Sequence, residues 1–348
     1  MGSRPTIRDV AERAGVSNAT VSNVINEKGK VSESTRKDVL EAIEALNYRP
    51  NASAQRKLQS NGPKSIGLVV KEMHNPYFAD VTIAAQERAT EEGYSVMLAS
   101  SEGDRPTEGQ IVDLFVEKDV DGIVINPLLD PDADLSHLFD LQRRNIPFVL
   151  LEQVRGLRAN LVDVDNVAAA RTLTTHLVEL GHEHIVHFAG PAYSMHGEER
   201  AEGVRRAFFD SGLVYSEDYV VPAGARLEDG YRVGLEYFRD RPPPDRPTAV
   251  TCYNDLVAIG LLRALRELGI DVPGEVSVAG FDNIKTCAYA PVPLTTMGVP
   301  TAEMGRAAVE MVVRQIEAGG QGEPDTVNLQ AELTVRESTA PVTTQVSA

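Results

Sequence analysis

The sequence predicts an N-terminal all-α helix-turn-helix headpiece followed by an α/β body of two doubly wound parallel-sheet lobes. Two observations carry this. Short helical patterns separated by Gly15 open the chain, and from Ser65 onward β-rich apolar runs alternate with helical patterns in two successive series. With 348 residues there is room for two domains and a small third.

The stretch from Thr6 to Ala14 reads as a short helix, with Thr6 as cap and Asp9 three residues on. Ile7, Val10, Ala11 and Ala14 share its inner face, and Gly15 permits the left-handed turn that stops it. Ser17 caps a second helix, Asn18 to Ile25, which buries Val21, Val24 and Ile25. Its other face is small and polar: Asn18, Ala19, Ser22 and Asn23. Two short helices joined by a tight turn make a helix-turn-helix. A third helix is expected from Ser32 to Leu46, with Val39, Leu40, Ile43 and Leu46 inward. Asn51 to Ser60 is a candidate linker helix, too short to hold its shape alone in water, and Asn61-Gly62-Pro63 ends it.

In the body, the first series runs strand Ile66–Val70, helix Tyr77–Glu92, strand Ser95–Ala99, helix Glu108–Glu117, strand Gly122–Ile125, helix Leu135–Arg144, strand Phe148–Leu151. The second runs helix Val167–Leu180, strand His184–Phe188, helix Gly197–Asp210, helix Gly230–Phe238, strand Ala249–Cys252, helix Leu256–Leu268, strand Ser277–Ala279. Open sheets of this kind bind ligands at the carboxyl ends of their strands, so function is sought just after each strand.

The net charge of −17 argues at first against a polyanionic partner. Its distribution reverses the argument, because residues 1 to 65 carry +4 and the rest −21. Any contact with nucleic acid therefore belongs to the N-terminal end. No apolar run approaches a membrane span, and the first residues lack the apolar core of a secretory signal, so a cytoplasmic, nucleoid-associated protein is expected. Cys252 and Cys287 are expected to be buried thiols.

Competing chemistry is weak. His182, His184 and His187 invite a metal reading, but no carboxylate or cysteine set accompanies them, and strand-entry histidines are the better account. No nucleophile elbow, Walker loop or dinucleotide fingerprint occurs, so neither metal, cofactor nor enzymatic activity is expected. Arg241-Pro242-Pro243-Pro244 is a stiff surface connection. The rival class is a solute-binding module, or a sugar or nucleoside kinase, carrying an accessory headpiece.

The run from Thr6 to Asn26 (TIRDVAERAGVSNATVSNVIN), with Val31 to Arg36 (VSESTR) and Asn47 to Asn51 (NYRPN), resembles the headpiece of the lactose-repressor (LacI/GalR) family of bacterial transcriptional regulators. The resemblance implies that Asn18, Ala19 and Asn23 face base edges in the major groove, where an Asn amide suits adenine and an Ala methyl suits thymine. Thr6, Ser17, Thr20, Ser22, Asn26, Ser32, Thr35 and Arg36 would then lie near phosphates. In that family the linker pairs with its dimer mate and wedges a leucine into the minor groove, which here involves Ala54, Lys57 and Leu58. Counted from Tyr48 the wedge position holds Lys57, and counted back from Ile66 it holds Leu58. A one-residue insertion reconciles the two and leaves Leu58 as the wedge.

The body is similar to the family's periplasmic-binding-protein-like effector domain through IGLVV (Ile66 to Val70), NPYF (Asn75 to Phe78), DGIVI (Asp121 to Ile125), FAGP (Phe188 to Pro191), VPGEVSVAGFDN (Val272 to Asn283) and PLTT (Pro293 to Thr296). It implies a headpiece at 1–50, a hinge at 51–64, an effector and dimerisation domain at 65–340 and a tail at 341–348. The first lobe would comprise 65–166 and 297–322, the second 167–296 and 323–340. Effector contacts implied by position are Tyr77, Phe78, Asn126, Ser194, His196, Arg200, Asn254 and Asp282.

The implied partners are palindromic operator DNA, a second copy of the chain, and a small-molecule effector such as a sugar, a nucleoside or a purine. Relatives often place a stacking aromatic before the helix near Gly230, where this chain has Ala225 followed by Arg226. That substitution points away from a sugar and toward a charged or smaller effector, or a protein co-regulator. The expected function is a repressor whose operator affinity an effector controls.

Overall fold

The computed structural model describes residues 7–25, 31–46, 64–129, 134–192, 194–320 and 322–342. Three helices form the headpiece: α1 (Ile7–Ala14), α2 (Asn18–Ile25) and α3 (Glu33–Ala45). Gly15 takes a φ of +67° between the first two, a conformation that costs a side chain energy and glycine none. Ser17 Oγ accepts the amide of Thr20 at 3.1 Å, as expected of a cap, and Ser32 Oγ does the same for Thr35 at 3.2 Å at the start of α3. Val10, Ala11, Val21, Val24, Ile25, Val39 and Ala42 make the headpiece core. Leu40, expected inward, is instead exposed, because Ala42 takes the inner face of the helix beside Val39.

The body is built from strands β1 (Ser65–Val70), β2 (Ser95–Ser100), β3 (Gly122–Ile125), β4 (Phe148–Leu150), β5 (Asn160–Val164), β6 (Ile185–Ala189), β7 (Val220–Pro222), β8 (Ala249–Cys252), β9 (Ser277–Asp282), β10 (Thr295–Gly298), β11 (Thr326–Leu329) and β12 (Glu332–Thr334). They form two six-stranded sheets, ordered β11-β5-β4-β3-β1-β2 and β12-β10-β9-β8-β6-β7. All pairings are parallel except β10 with β12.

Helices cover both faces. They are α4 (Pro76–Glu91), α5 (Arg105–Glu117), α6 (Ser136–Arg143), α7 (Asn166–Glu179), α8 (Met195–Asp210), α9 (Leu227–Phe238), α10 (Asp255–Glu267) and α11 (Thr301–Glu317). Side chains alternate along β1: Ile66, Leu68 and Val70 join the larger core, while Val69 joins a second one with Ile123, Ile125, Phe115 and Leu138. Burial on both faces explains why these strands read as continuous apolar runs.

Two expectations about the chain's path are corrected. Residues 323–329 were expected in the second lobe, but β11 pairs with β5 and completes the first sheet. Met297 and Gly298 were expected in the first lobe, but they lie in β10 beside β9 in the second. The hydrogen-bond partners explain both: short strands follow the sheet edge that has unpaired amides, and each lobe had one to offer.

Candidate functional site: the interlobe cleft and the headpiece face

In both sheets the order of strands reverses beside the first strand of the lobe, between β1 and β3 in one and between β6 and β8 in the other. Segments leaving those strands line a shared cleft. The first lobe supplies Lys71, Glu72, Asn75, Tyr77, Phe78 and Asn126, and the second His196, Arg200, Ala225, Tyr253, Asn254 and Asp282. The cavity between them measures about 40 Å³, room for a few waters.

Of the eight expected effector residues, seven line this cavity. Ser194 does not; it is buried beneath it, with Oγ 3.1 Å from the Tyr253 hydroxyl. Asn254 lines the cavity with each end of its amide making one bond within the lobe. Its Oδ1 caps α10 by accepting the Val257 amide at 2.9 Å, and its Nδ2 donates to the Ala225 carbonyl at 2.8 Å. Tyr77 and Phe78 meet edge to face at 5.0 Å, and the Tyr77 hydroxyl donates to Met304 Sδ at 3.1 Å. Asn126 Oδ1 is buried and has no partner among the described residues, which makes it the acceptor most in need of a donor from outside.

Arg200 is held on every side. Its Nε donates to Asn166 Oδ1 at 3.0 Å, Nη1 donates to the Tyr253 carbonyl at 2.5 Å, and the guanidinium lies 3.7 Å over Phe281 and 5.0 Å over Tyr253. Asp282 is 3.6 Å from Arg200 Nη1. Burial pushes the Asp282 carboxyl up, and the nearby Arg200 offsets part of that. Its backbone is itself unusual, with φ of 112° at Asp282 and 59° at Asn283. Positions of this kind persist only where surrounding contacts over-determine them.

Lys71, Glu72 and Tyr253 line the cavity without having been expected from the sequence, and Glu152 and Asp163, likewise unexpected, stand beside His196. Lys71 Nζ pairs with Glu152 Oε2, and both are buried. His196 of the second lobe reaches the same place: its amide donates to Glu152 Oε1 at 3.1 Å, and Nε2 lies 3.0 Å from Asp163 Oδ1. Burial would lower the His196 pKa, but Glu152 and Asp163 outweigh it and the net shift is upward. Burial likewise works against the Glu152 charge, but His196 and Lys71 hold its pKa below the usual carboxylate range. At the rim, Arg226 Nε stands 3.6 Å from Glu72 across the cleft, beside the position where the aromatic was missed.

The histidine run is structural. His182 is buried, 2.9 Å from Thr248 Oγ1 and 3.0 Å from Ser277 Oγ, and His187 is buried 3.0 Å from Thr251 Oγ1. The strand expected from His184 begins at Ile185, so His182 and His184 lie just ahead of it. Among the described residues no group of side chains is arranged to hold a metal ion, and no helix is long and apolar enough to cross a membrane. Both cysteines are free and buried.

On the headpiece, Asn18, Ala19 and Asn23 are exposed on one face of α2, opposite Val21, Val24 and Ile25. Ser17 and Ser32 are exposed at the starts of α2 and α3, and Thr20, Ser22, Thr35 and Arg36 are half-buried beside them. Helix starts turn amides outward and suit phosphate. Thr6, Asn26, Ala54, Lys57 and Leu58 lie outside the described residues.

Comparison with known proteins places both parts. Residues 6–51 match the family model of bacterial regulatory proteins of the lacI family, and residues 174–339 match that of the periplasmic binding protein-like domain. The HTH-type transcriptional repressor PurR of Photobacterium profundum is 33% identical over 336 residues, spanning 96% of this chain and 98% of its own. The PurR of Proteus mirabilis is 34% identical over 338 residues, spanning 96% and 97%. Among solved structures, a transcriptional regulator CelR–cellobiose complex aligns with a TM-score of 0.72 at 31% identity, over 96% of this chain and 100% of that one. The lac repressor dimer bound to operator and the anti-inducer ONPF aligns with 0.71 at 26%, over 97% and 100%.

Proposed function

The chain belongs to the LacI family of bacterial regulatory proteins, and from that premise we propose that it is a homodimeric repressor of palindromic operators, controlled by a small polar effector held between its lobes. Membership makes it a DNA-binding transcriptional regulator with an effector-binding architecture, and not an enzyme. The observation that carries the finer reading is the cleft itself. It gathers seven of the expected residues from both lobes, so a ligand seated there touches both and biases their relative position.

The DNA-facing half follows from α2. Asn18, Ala19 and Asn23 read base edges, Ser17, Thr20, Ser22, Ser32, Thr35 and Arg36 meet phosphates, and Thr6 and Asn26 extend that set. Two headpieces on inverted half-sites, with linkers carrying Ala54, Lys57 and Leu58 over the centre, satisfy a two-fold operator. In the cleft, Asn126 Oδ1 and Asp282 accept from the effector. Tyr77 and Phe78 pack against it, while His196 and Arg200 bound the second-lobe side. Asn254 and Ser194 act through Ala225 and Tyr253 rather than by contact.

The experiment is a gel shift of the full chain against random palindromic sites at fixed salt, repeated with ligands found by thermal shift. Cellobiose, ribose and a purine base make a suitable first panel, because a CelR–cellobiose complex and a LacI-family regulator from Enterococcus faecium with bound ribose share this fold. A ligand that stabilises the protein and changes operator affinity about 5- to 150-fold supports the reading. Absence of any specific DNA binding by the dimer defeats it.

A further inference from the structure

We propose that His196 is a proton-operated latch between the lobes: protonated, it clamps the second lobe onto Glu152 and Asp163 of the first, and losing the proton loosens that closure. This rests on reading the cleft as the effector site and concerns how that site is regulated.

His196 is the second residue of α8, so its main chain and ring move with the second lobe. Both of its partners belong to the first lobe. Glu152 follows β4 and accepts the His196 amide at 3.1 Å, and Asp163 lies in β5 with Oδ1 3.0 Å from the ring Nε2. The ring Nδ1 is also 4.0 Å from Glu152 Oε2. The first-lobe half of the latch is prebuilt, because Lys71 holds Glu152 in place without help from the other lobe.

The charged and titratable groups that face the ring are Glu152, Asp163 and Lys71 from the first lobe, Glu199 on its own helix, and Asp282 at the end of β9. Carboxylates outnumber the single ammonium. Between two buried carboxylates the imidazolium is the favoured form of the ring, because it donates to Asp163 from Nε2 and sets its positive charge 4.0 Å from Glu152.

With the lobes apart the ring meets water and titrates near 6.5. With them together its pKa is raised, despite the opposing effect of burial, by Glu152 and Asp163. Closure is therefore fully supported below about 6.5 and loses that support as pH rises through the raised, closed-state pKa. Between the two values the closed-to-open ratio falls by up to about tenfold per pH unit. Among the described residues the other ion pairs that bridge the lobes contain no histidine: Arg226–Glu72 at 3.6 Å, Arg155–Glu198 at 3.3 Å and Lys285–Asp80 at 3.1 Å.

The test uses the full chain without DNA or effector, labelled through Gln110→Cys and Glu228→Cys, exposed positions on opposite lobes. The native cysteines are buried and do not compete for label. Interlobe energy transfer is followed from pH 6 to pH 9. The expected result is a loss of the closed population with rising pH that His196→Gln abolishes. A flat profile in the parent chain, or an unchanged one in His196→Gln, overturns the latch. If His196→Gln does not fold, Asp163→Asn replaces it and is expected to move the midpoint to lower pH; an unmoved midpoint overturns the latch equally. Gel shifts on the same samples separate the two readings. A missing profile with intact operator binding removes the latch alone, and an intact profile without operator binding removes the repressor reading alone.

Discussion

Asp255 Oδ2 accepts the amide of Ile284 at 2.8 Å, and its Oδ1 accepts the Thr296 hydroxyl at 2.6 Å. Through these two bonds a fully buried carboxylate at the start of α10 pins the turn that presents Asp282 to the cleft. Burial pushes the Asp255 carboxyl up, and Thr296, Cys287 and the Ile284 amide offset part of it. Asp255→Ala leaves those donors unsatisfied, so a loss of about 3 kcal/mol is expected in urea unfolding. A loss under about 0.5 kcal/mol, within the range of ordinary surface changes, contradicts this role.

Asp282→Ala separates sensing from DNA binding. The carboxylate faces the cleft, whose lining residues all belong to the body, so operator affinity without effector is expected to stay within about threefold, a small fraction of usual coupling. The effector-induced change in affinity is expected to vanish. A normal response in the variant removes Asp282 from the site.

Asn18→Ala tests the reading face of α2. Discrimination between the best operator and single-base variants is expected to fall by about 1–3 kcal/mol at one position. The salt slope stays unchanged, because no phosphate contact is lost. Equal weakening on all sequences assigns Asn18 to the backbone instead.

His187 governs an acid limb of stability. Burial, with help from the Arg200 charge, lowers its pKa to about 4. The fold therefore favours the neutral ring: its contribution is present above the unfolded value near 6.5 and is lost as pH falls toward 4. Between pH 7 and pH 5 this removes about 2 kcal/mol, which the difference between parent and His187→Gln unfolding curves isolates. Parallel curves for the two proteins reject the assignment.

Strong local patterns were legible. The helices around Gly15 and the buried strands such as Gly122–Ile125 and Ala249–Cys252 stand at their expected positions, because an apolar run between crossover helices has few other uses. Short edge strands were not. Val220–Pro222 and Glu332–Thr334 are three residues long and partly exposed, and only the neighbouring strand makes them strands. Thr326–Leu329 was assigned to the wrong lobe for the same reason.

The site divides similarly. Seven residues expected by position line the cavity, whereas Lys71, Glu152 and Asp163 gain meaning only when segments 81 and 33 residues apart converge. One signal was present and went unused: Lys71 and Glu152 are charged residues at the carboxyl ends of apolar runs, where doubly wound sheets keep their ligands. Tyr253, directly after Cys252, obeys the same rule.

The chain's crossings between lobes have a consequence for synthesis. The first sheet requires β11, which ends at Leu329, and the second requires β12, which ends at Thr334. Neither sheet can be completed until those strands have been translated, almost 300 residues after the three headpiece helices end at Ala45. A nascent chain therefore carries all three headpiece helices long before it carries either complete sheet, and products truncated before Leu329 are expected to hold the headpiece with an unfinished body.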